Sequence, residues 1–452
     1  MAGGTALTAL TNPTAAVSLL VLDPADTTTA PANSSGSNKT LTLARAGKVI
    51  TGWANLVRDF GADPTGTTSV ATPLANACAA ATAVYPAPYG LTVPPGRFSV
   101  TAGQVLPKNL VLQGAGVQGG SVTGTANMNG SVFVVSSSFS GSYVFACDDT
   151  ADSTAVNAPI LSGFGIVGSA YTAEPVDGIV VNGPAFLTMS YVSIVEMSGN
   201  GVNTHVDTTA TPIGADGQIW SNVTIDSCAL NGARLIYPED SQFHFCYIIG
   251  CGGDGWQICG GDNSHWSHCR GEWNGGYGLH LTNITDGGTP YDWTYAPGYA
   301  TFDSFSTDAN TQSGIRCDAT FQTGQGAGTG ACMIQLTSPS CRRDGKGESG
   351  AAGSWAGIDV NYSAAAGGSA GLPVYVGGCP VVTTGIGDGG SGTIGPRYGI
   401  IATSLGAAPF KVGGVGMLNG YSAAATTSGT VTNYALASTV DTYAGYNYNY
   451  TG

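Results

Sequence analysis

The chain has 452 residues, 70 of them glycine, and only 9% are charged, against roughly 25% in an ordinary globular domain. Its net charge of −14, with 14 lysines and arginines spread along it, excludes the clustered basic surface that nucleic acid or an anionic membrane would require. Few charges, abundant Gly, Ser and Thr, and little Leu argue against helical bundles and for an all-β chain of short strands and tight turns.

In chain order, residues 1–52 come first. "SLLVLD" and "KTLTLARA" read as two strand-like runs around a Pro/Ser/Thr/Gly-rich loop. The first basic residue is Lys39, so no positive n-region precedes the apolar run Ala15 to Leu22, and that run is too short to span a bilayer. Conventional secretion and membrane insertion are therefore not expected. So small a zone needs a partner surface.

Next, "DFGADPTG" (Asp59 to Gly66) is a turn cluster. Val70, Leu74, Ala77, Cys78, Ala81 and Val84 then recur at helical spacing, with Ser69 as N-cap and Pro73 in the first turn. "LTVPPGRFSV" and "KNLVLQGAG" follow as strands. One amphipathic helix followed by strands predicts a lid over the open end of a β structure.

A repeat then sets in: Gly, apolar, any residue, usually apolar. It starts at Gly178, Gly201, Gly232, Gly255, Gly278, Gly314, Gly357 and Gly399, at intervals of 23, 31, 23, 23, 36, 43 and 42. The longer intervals read as a 23-residue period with inserted loops. One short strand set per 23 residues fits a coil of a parallel β-helix, whereas a propeller blade needs roughly 40. Two columns test this. Nine residues before five successive glycines lie Val192, Val223, Cys246, Cys269 and Phe305, and twelve before lie Met189, Trp220, Phe243, Trp266 and Phe302. Both should face inward. Two after lie Asn203, Arg234, Gln257, His280, Arg316 and Asp359, an outward polar column. The fold expected is all-β, a right-handed parallel β-helix over 53–413. The remaining segment, 414–452, turns to Thr, Ala and Tyr and reads as a cap or assembly segment. Eleven cysteines without metal-ligand spacing read as buried hydrophobes of a chain made in a reducing cytoplasm; no metal and no cofactor are expected.

"VRDFGADPTGTT", the Ala-rich helix, "LTVPPGRFSV" and "LPKNLVLQGAG" together resemble the start of the pectate-lyase-like right-handed β-helix superfamily, departing from it at Ser69–Val70, where acidic residues are common. That superfamily holds polysaccharide lyases, galacturonases and phage tailspikes, so the resemblance implies a fold and leaves function open. "TALTALTNPTAAVSLLVLD" and "NKTLTLARA" resemble the anchoring segments of phage tail fibres and tailspikes. The two resemblances imply a virion tail protein made in the host cytoplasm. They imply attachment to other tail proteins through residues 1–52, a homotrimer, and host-surface glycan as ligand. The alternatives are a dedicated polysaccharide lyase or glycoside hydrolase, and a purely structural tail component.

Glycan-cleaving β-helices carry two or three carboxylates on an outer face. Seven and eight residues after successive glycines lie Glu239 and Asp240, Asp262 and Asn263, Thr285 and Asp286. With coils about 4.8 Å apart, Glu239 and Asp262 would approach the roughly 5–5.5 Å of a retaining pair. Asp240 and Asp286 would stand farther apart. The competing reading is a solvated row of turn residues, where Asp and Asn are favoured anyway. The insertion "TDGGTPYDWTYAPGY" offers Tyr291, Asp292, Trp293 and Tyr295 for sugar stacking and hydroxyl recognition, or else packs back on the solenoid. Arg234, Gln257, His280 and Arg316 complete the expected glycan contacts. Lyases of the resembled family place Ca²⁺ on clustered Asp beside a basic residue, and no tight Asp cluster accompanies Arg234 or Arg316 here.

Overall fold

The computed structural model describes residues 19–22, 38–41, 53–118, 128–148, 159–168, 174–183, 186–206, 216–291, 293, 299–321, 333–345, 355–361, 370–378, 381–383, 398–403, 410–412, 417–419 and 449–451. The fold is a right-handed parallel β-helix. Each coil contributes one strand to each of three parallel ladders. The first is a twelve-stranded sheet running from Ala54–Asn55 through Ile219–Ser221, Gln242–His244 and Ser264–Ser267 to Phe410–Val412. The second stacks Ser193–Val195, Thr224–Asp226, Tyr247–Ile249 and Arg270–Glu272, and the third stacks Val202–His205, Ala233–Ile236, Trp256–Cys259 and Leu279–Leu281. The long strand Asn129–Asp148 feeds both of the latter.

The glycine repeat is the register of the third ladder. Val202 pairs with Ala233, Ala233 with Trp256, Trp256 with Leu279, Leu279 with Ile315 and Ile315 with Ile358. The reason for glycine is close approach: a Cβ on Gly201 would meet the Gly232 carbonyl oxygen at 2.7 Å, and one on Gly232 the Gly255 oxygen at 2.8 Å.

Both expected inward columns are buried. Trp220, Phe243, Trp266 and Phe302 have no exposure and stack coil upon coil, with Phe243 and Trp266 at 4.8 Å and Trp266 and Phe302 at 4.5 Å between centroids. Each fully buried apolar side chain contributes roughly 1.5–3 kcal/mol, and the ring stacking adds to that.

The helix is Ala71–Thr82, and Leu74, Ala77, Cys78 and Ala81 face the core at the N-terminal end. The N-cap position is Val70 rather than the expected Ser69, although the Ser69 hydroxyl, one residue earlier, accepts from Ala71 N at 3.1 Å. The turn cluster needs correction: its start belongs to a second short helix, Leu56–Phe60. Asn55 accepts there from Val57 N and Arg58 N, and Gly61 closes it in the left-handed conformation at φ 73°. Asp63 then ties the loop, accepting from Thr65, Thr67 and Thr68, and those donors hold its carboxyl well below the usual range.

Leu19–Leu22 and Asn38–Leu41, the two expected runs of the first zone, pair antiparallel. Rungs at Met417–Asn419 and Asn449–Thr451 extend the second ladder beyond residue 413. No helix among the described residues is long and apolar enough to cross a membrane.

Candidate functional site

Where the third ladder turns into the first sheet, successive coils stack their turns backbone to backbone. Gly217 N donates to the Glu239 carbonyl at 2.8 Å, and Asp240 N to that of Asp262 at 3.0 Å. This brings Glu239, Asp240 and Asp262 into one row and adds a member that the glycine count missed, Asp216. Measured backward from the next repeat glycine, Asp216, Glu239 and Asp262 all stand sixteen residues before it. The loop inserted after Gly201 hides Asp216 from a forward count.

The row is electrostatically strained. Asp216 is half-buried, and its Oδ1 has no hydrogen-bond partner. Burial first, then the charges of Glu239 and Asp240, push its carboxyl up to about 7. Asp262 is buried and also raised, by burial and then by Asp240, against a hydrogen bond from Asn263 N. Carboxyls in one row that are raised above the ordinary carboxylate range, as Asp216 and Asp262 are, are the raw material of acid–base chemistry. Backbone demand accounts for part of the row, since Asp240 and Asn263 both sit at φ near 50°, a conformation that Asp and Asn tolerate best.

Asp286 does not join the row. It lies in the hairpin Ile284–Asp286 with Thr289–Tyr291, which folds back over the third ladder. Its carboxylate lies 2.8 Å from His205 Nδ1 and 3.3 Å from Arg234 Nη1. Burial opposes ionisation there, but His205 and Arg234 together hold the carboxyl below its ordinary value.

The expected glycan contacts are largely occupied by protein. Arg234 also donates to Asn203 Oδ1 and to the Thr285 carbonyl, both at 2.9 Å. Gln257 accepts from Asn231 Nδ2 at 3.3 Å. His280 is held between Asp254 at 2.8 Å and Asp318 at 3.2 Å; burial pulls its pKa down, but the two carboxylates win and raise it to about 9. Arg316 pairs with Asp318 and Asp359. The outward column is thus a covered ion network rather than a solvated face. The aromatic reading of the insertion is corrected in the same way. Tyr291 and Trp293 are buried, Tyr291 against Tyr237 at 5.8 Å and Trp293 with its Nε1 donating to the Thr282 carbonyl at 3.1 Å, so neither offers a ring to a sugar. Asp292 and Tyr295 lie outside the described residues. Among the described residues no group of three or more His, Cys, Asp or Glu is arranged to hold a metal ion.

Residues 53–269, just under half of the chain, match the model of a family described as Rhamnogalacturonase A/epimerase, pectate lyase-like. Over these residues the chain resembles that family, and the fold is the parallel β-helix described above. No curated protein sequence matches it significantly. Among solved structures, the A-module of the mannuronan C-5 epimerase AlgE4 of Azotobacter vinelandii aligns at TM-score 0.47 and 13% identity, covering 88% of this chain and 100% of that one. The phiAB6 tailspike, solved with oligosaccharides of Acinetobacter baumannii surface polysaccharide, aligns at TM-score 0.43 and 16% identity over 65% of this chain and 48% of that one. Tailspike protein 2 of bacteriophage CBA120 aligns at TM-score 0.42 and 12% identity over 80% of this chain and 47% of that one. The chain thus spans about half the length of these two tailspikes.

Proposed function

We propose that this protein engages a polysaccharide on the outer turns of its β-helix and cleaves it there by glycoside hydrolysis. The observation that carries the reading is Asp216, a half-buried carboxyl with an unpartnered oxygen, raised to about 7 beside Glu239 and Asp240. A protonated carboxyl supplies the general acid that a leaving glycosidic oxygen needs, and a neighbouring ionised carboxylate supplies the nucleophile or base. Asp216 and Glu239 belong to adjacent coils, about 4.8 Å apart, which favours the retaining over the inverting geometry. The pectate-lyase-like family description supports a carbohydrate ligand.

The N-terminal resemblance to tailspike anchors supports a place on a phage tail, with residues 1–52 joining other tail proteins, host-surface glycan as receptor, and a trimer as the assembled form. The test is incubation with host envelope polysaccharide and sizing of the chains. Shortened chains with wild type, and none with Asp216→Asn or Glu239→Gln, are expected. Shortening that both variants retain removes the acidic row from the chemistry. Absence of both binding and cleavage leaves a structural tail component.

A further inference from the structure

The three outer faces of the solenoid differ in charge. The second ladder presents Asp226, Arg270, Glu272, Asp308 and Arg342, and the third presents Arg234, His280, Arg316 and Asp359. Between Ile160 and Thr337 the outward positions of the first sheet carry far less charge. From Ile160 to Thr337 they are Ile, Ser, Thr, Gln, His, Tyr and Met, with one carboxylate, Asp303, and no lysine or arginine. Side chains in register on successive rungs, as Thr188, Ile219 and Gln242 are, make this a continuous stripe. At roughly 4.8 Å per rung, the seven rungs from Ile160 to Thr337 make it about 30 Å long.

Its apolar members are exposed. Ile160 is 41% and Ile219 45% accessible, and along the bordering bend Tyr191 is 64% and Phe245 59% accessible. Phe245 stacks on His268 at 5.1 Å, which leaves its other face to solvent. A parallel sheet with one face in the core normally spends charge on the other. Here, among the described residues between Ile160 and Thr337, all but one of the charged side chains lie off this face.

We infer that this charge-poor sheet face is where copies of the chain meet. The partner is a second copy because the charge pattern suits one. Identical chains at −14 repel, and within a Debye length of about 8 Å that repulsion is unscreened. A homotypic contact is therefore least costly where both surfaces carry least charge, with Asp303 the one carboxylate of this face between Ile160 and Thr337. Exposed aromatics bordering such a face supply the apolar anchors that interfaces concentrate. The inference rests on the assembly part of the proposed function, and names the surface that such an assembly would use.

The test uses the full chain with Ile219→Lys and Phe245→Lys, singly and together, and Leu230→Lys as the control. Leu230 is equally exposed at 45% but lies off this sheet. Both face positions point to solvent, so lysine should leave the far-UV circular dichroism and melting temperature unchanged. Light scattering at micromolar concentration should give a multiple of the chain mass for wild type and control. The double variant should give a single chain mass, with the concentration of half-dissociation raised at least tenfold. A wild-type monomer overturns both the assembly and the face. A wild-type oligomer whose mass the face lysines leave unchanged, or that the control disrupts equally, overturns the face alone.

Discussion

Asp216 shows how a fold imposes chemistry on a single side chain. Its carboxyl is raised from 3.8 to about 7 by burial and by Glu239 and Asp240. A folded-state value above the unfolded one means that the associated stability is fully present below about pH 4 and is lost as pH rises through 7. Asp216→Asn removes that loss. We expect its melting temperature to exceed wild type at pH 8 and to match it at pH 4, while cleavage falls by about 10²-fold or more. Thermal melts at the two pH values check this, and a gain of equal size at both would mean that the substitution acts through packing instead. Trp220→Ala is the contrasting case. It empties a site with no exposure, between Phe243 and Trp256, and should cost about 3–5 kcal/mol in denaturant unfolding at any pH.

At the scale of the element, the repeat glycines and the inward columns were legible because close approach and burial each demand one residue type at a fixed interval. The bends between ladders were not. Tyr191, Asn222, Phe245, His268, Ser304 and Ser338 occupy equivalent left-handed positions, one per coil, with φ between 49° and 54°. Backbone bonds to the next coil fix them there, as from Tyr191 N to the Ser221 carbonyl at 3.0 Å, so side-chain identity is nearly free and leaves no pattern. The aromatic insertion misled for a related reason: Tyr291 and Trp293 read equally well as binding or packing residues until their burial is seen. A buried polar stack shows how much the coil joints depend on such cross-coil bonds. Asn274 N donates to Asn310 Oδ1 at 3.0 Å, and Asp344 accepts from Asn310 Nδ2 at 2.8 Å and from Thr307 Oγ1 at 2.7 Å. Burial lifts the Asp344 carboxyl to about 7 despite these donors. An asparagine keeps an acceptor for Asn310 and can donate to the Thr307 hydroxyl. Asp344→Asn should therefore stabilise above pH 7 and be neutral near pH 4, whereas Asp344→Ala should cost about 1–3 kcal/mol in chemical denaturation, because it removes the acceptor of three buried donors, Asn310 N, Asn310 Nδ2 and Thr307 Oγ1.

At the scale of the whole molecule, charge placement limits which glycan the solenoid can hold. The described coils from residue 159 to 361 carry five arginines and no lysine, against sixteen carboxylates. All five arginines are engaged: Arg234 with Asp286, Arg270 with Glu272, Arg316 with Asp318 and Asp359, and Arg342 and Arg343 with Asp308. A polyuronate or sulfated chain laid along the acidic row would meet carboxylates, and to recruit an arginine among the described residues of these coils it would have to break an ion pair. An uncharged chain needs only hydroxyl hydrogen bonds, which carboxyl groups such as those of Glu239 and Asp240 can accept. The expected ligand is therefore a polysaccharide without carboxylate, sulfate or phosphate groups. Its affinity should change little between about 50 and 500 mM salt, because no counter-charge is screened. A polyuronate of equal length should bind at least tenfold more weakly, with the gap narrowing as salt rises. Isothermal titration of the two polymers across that range decides the matter. Tight polyuronate binding that weakens as salt is added would show that cationic groups face the ligand, and would refute this assignment of glycan class.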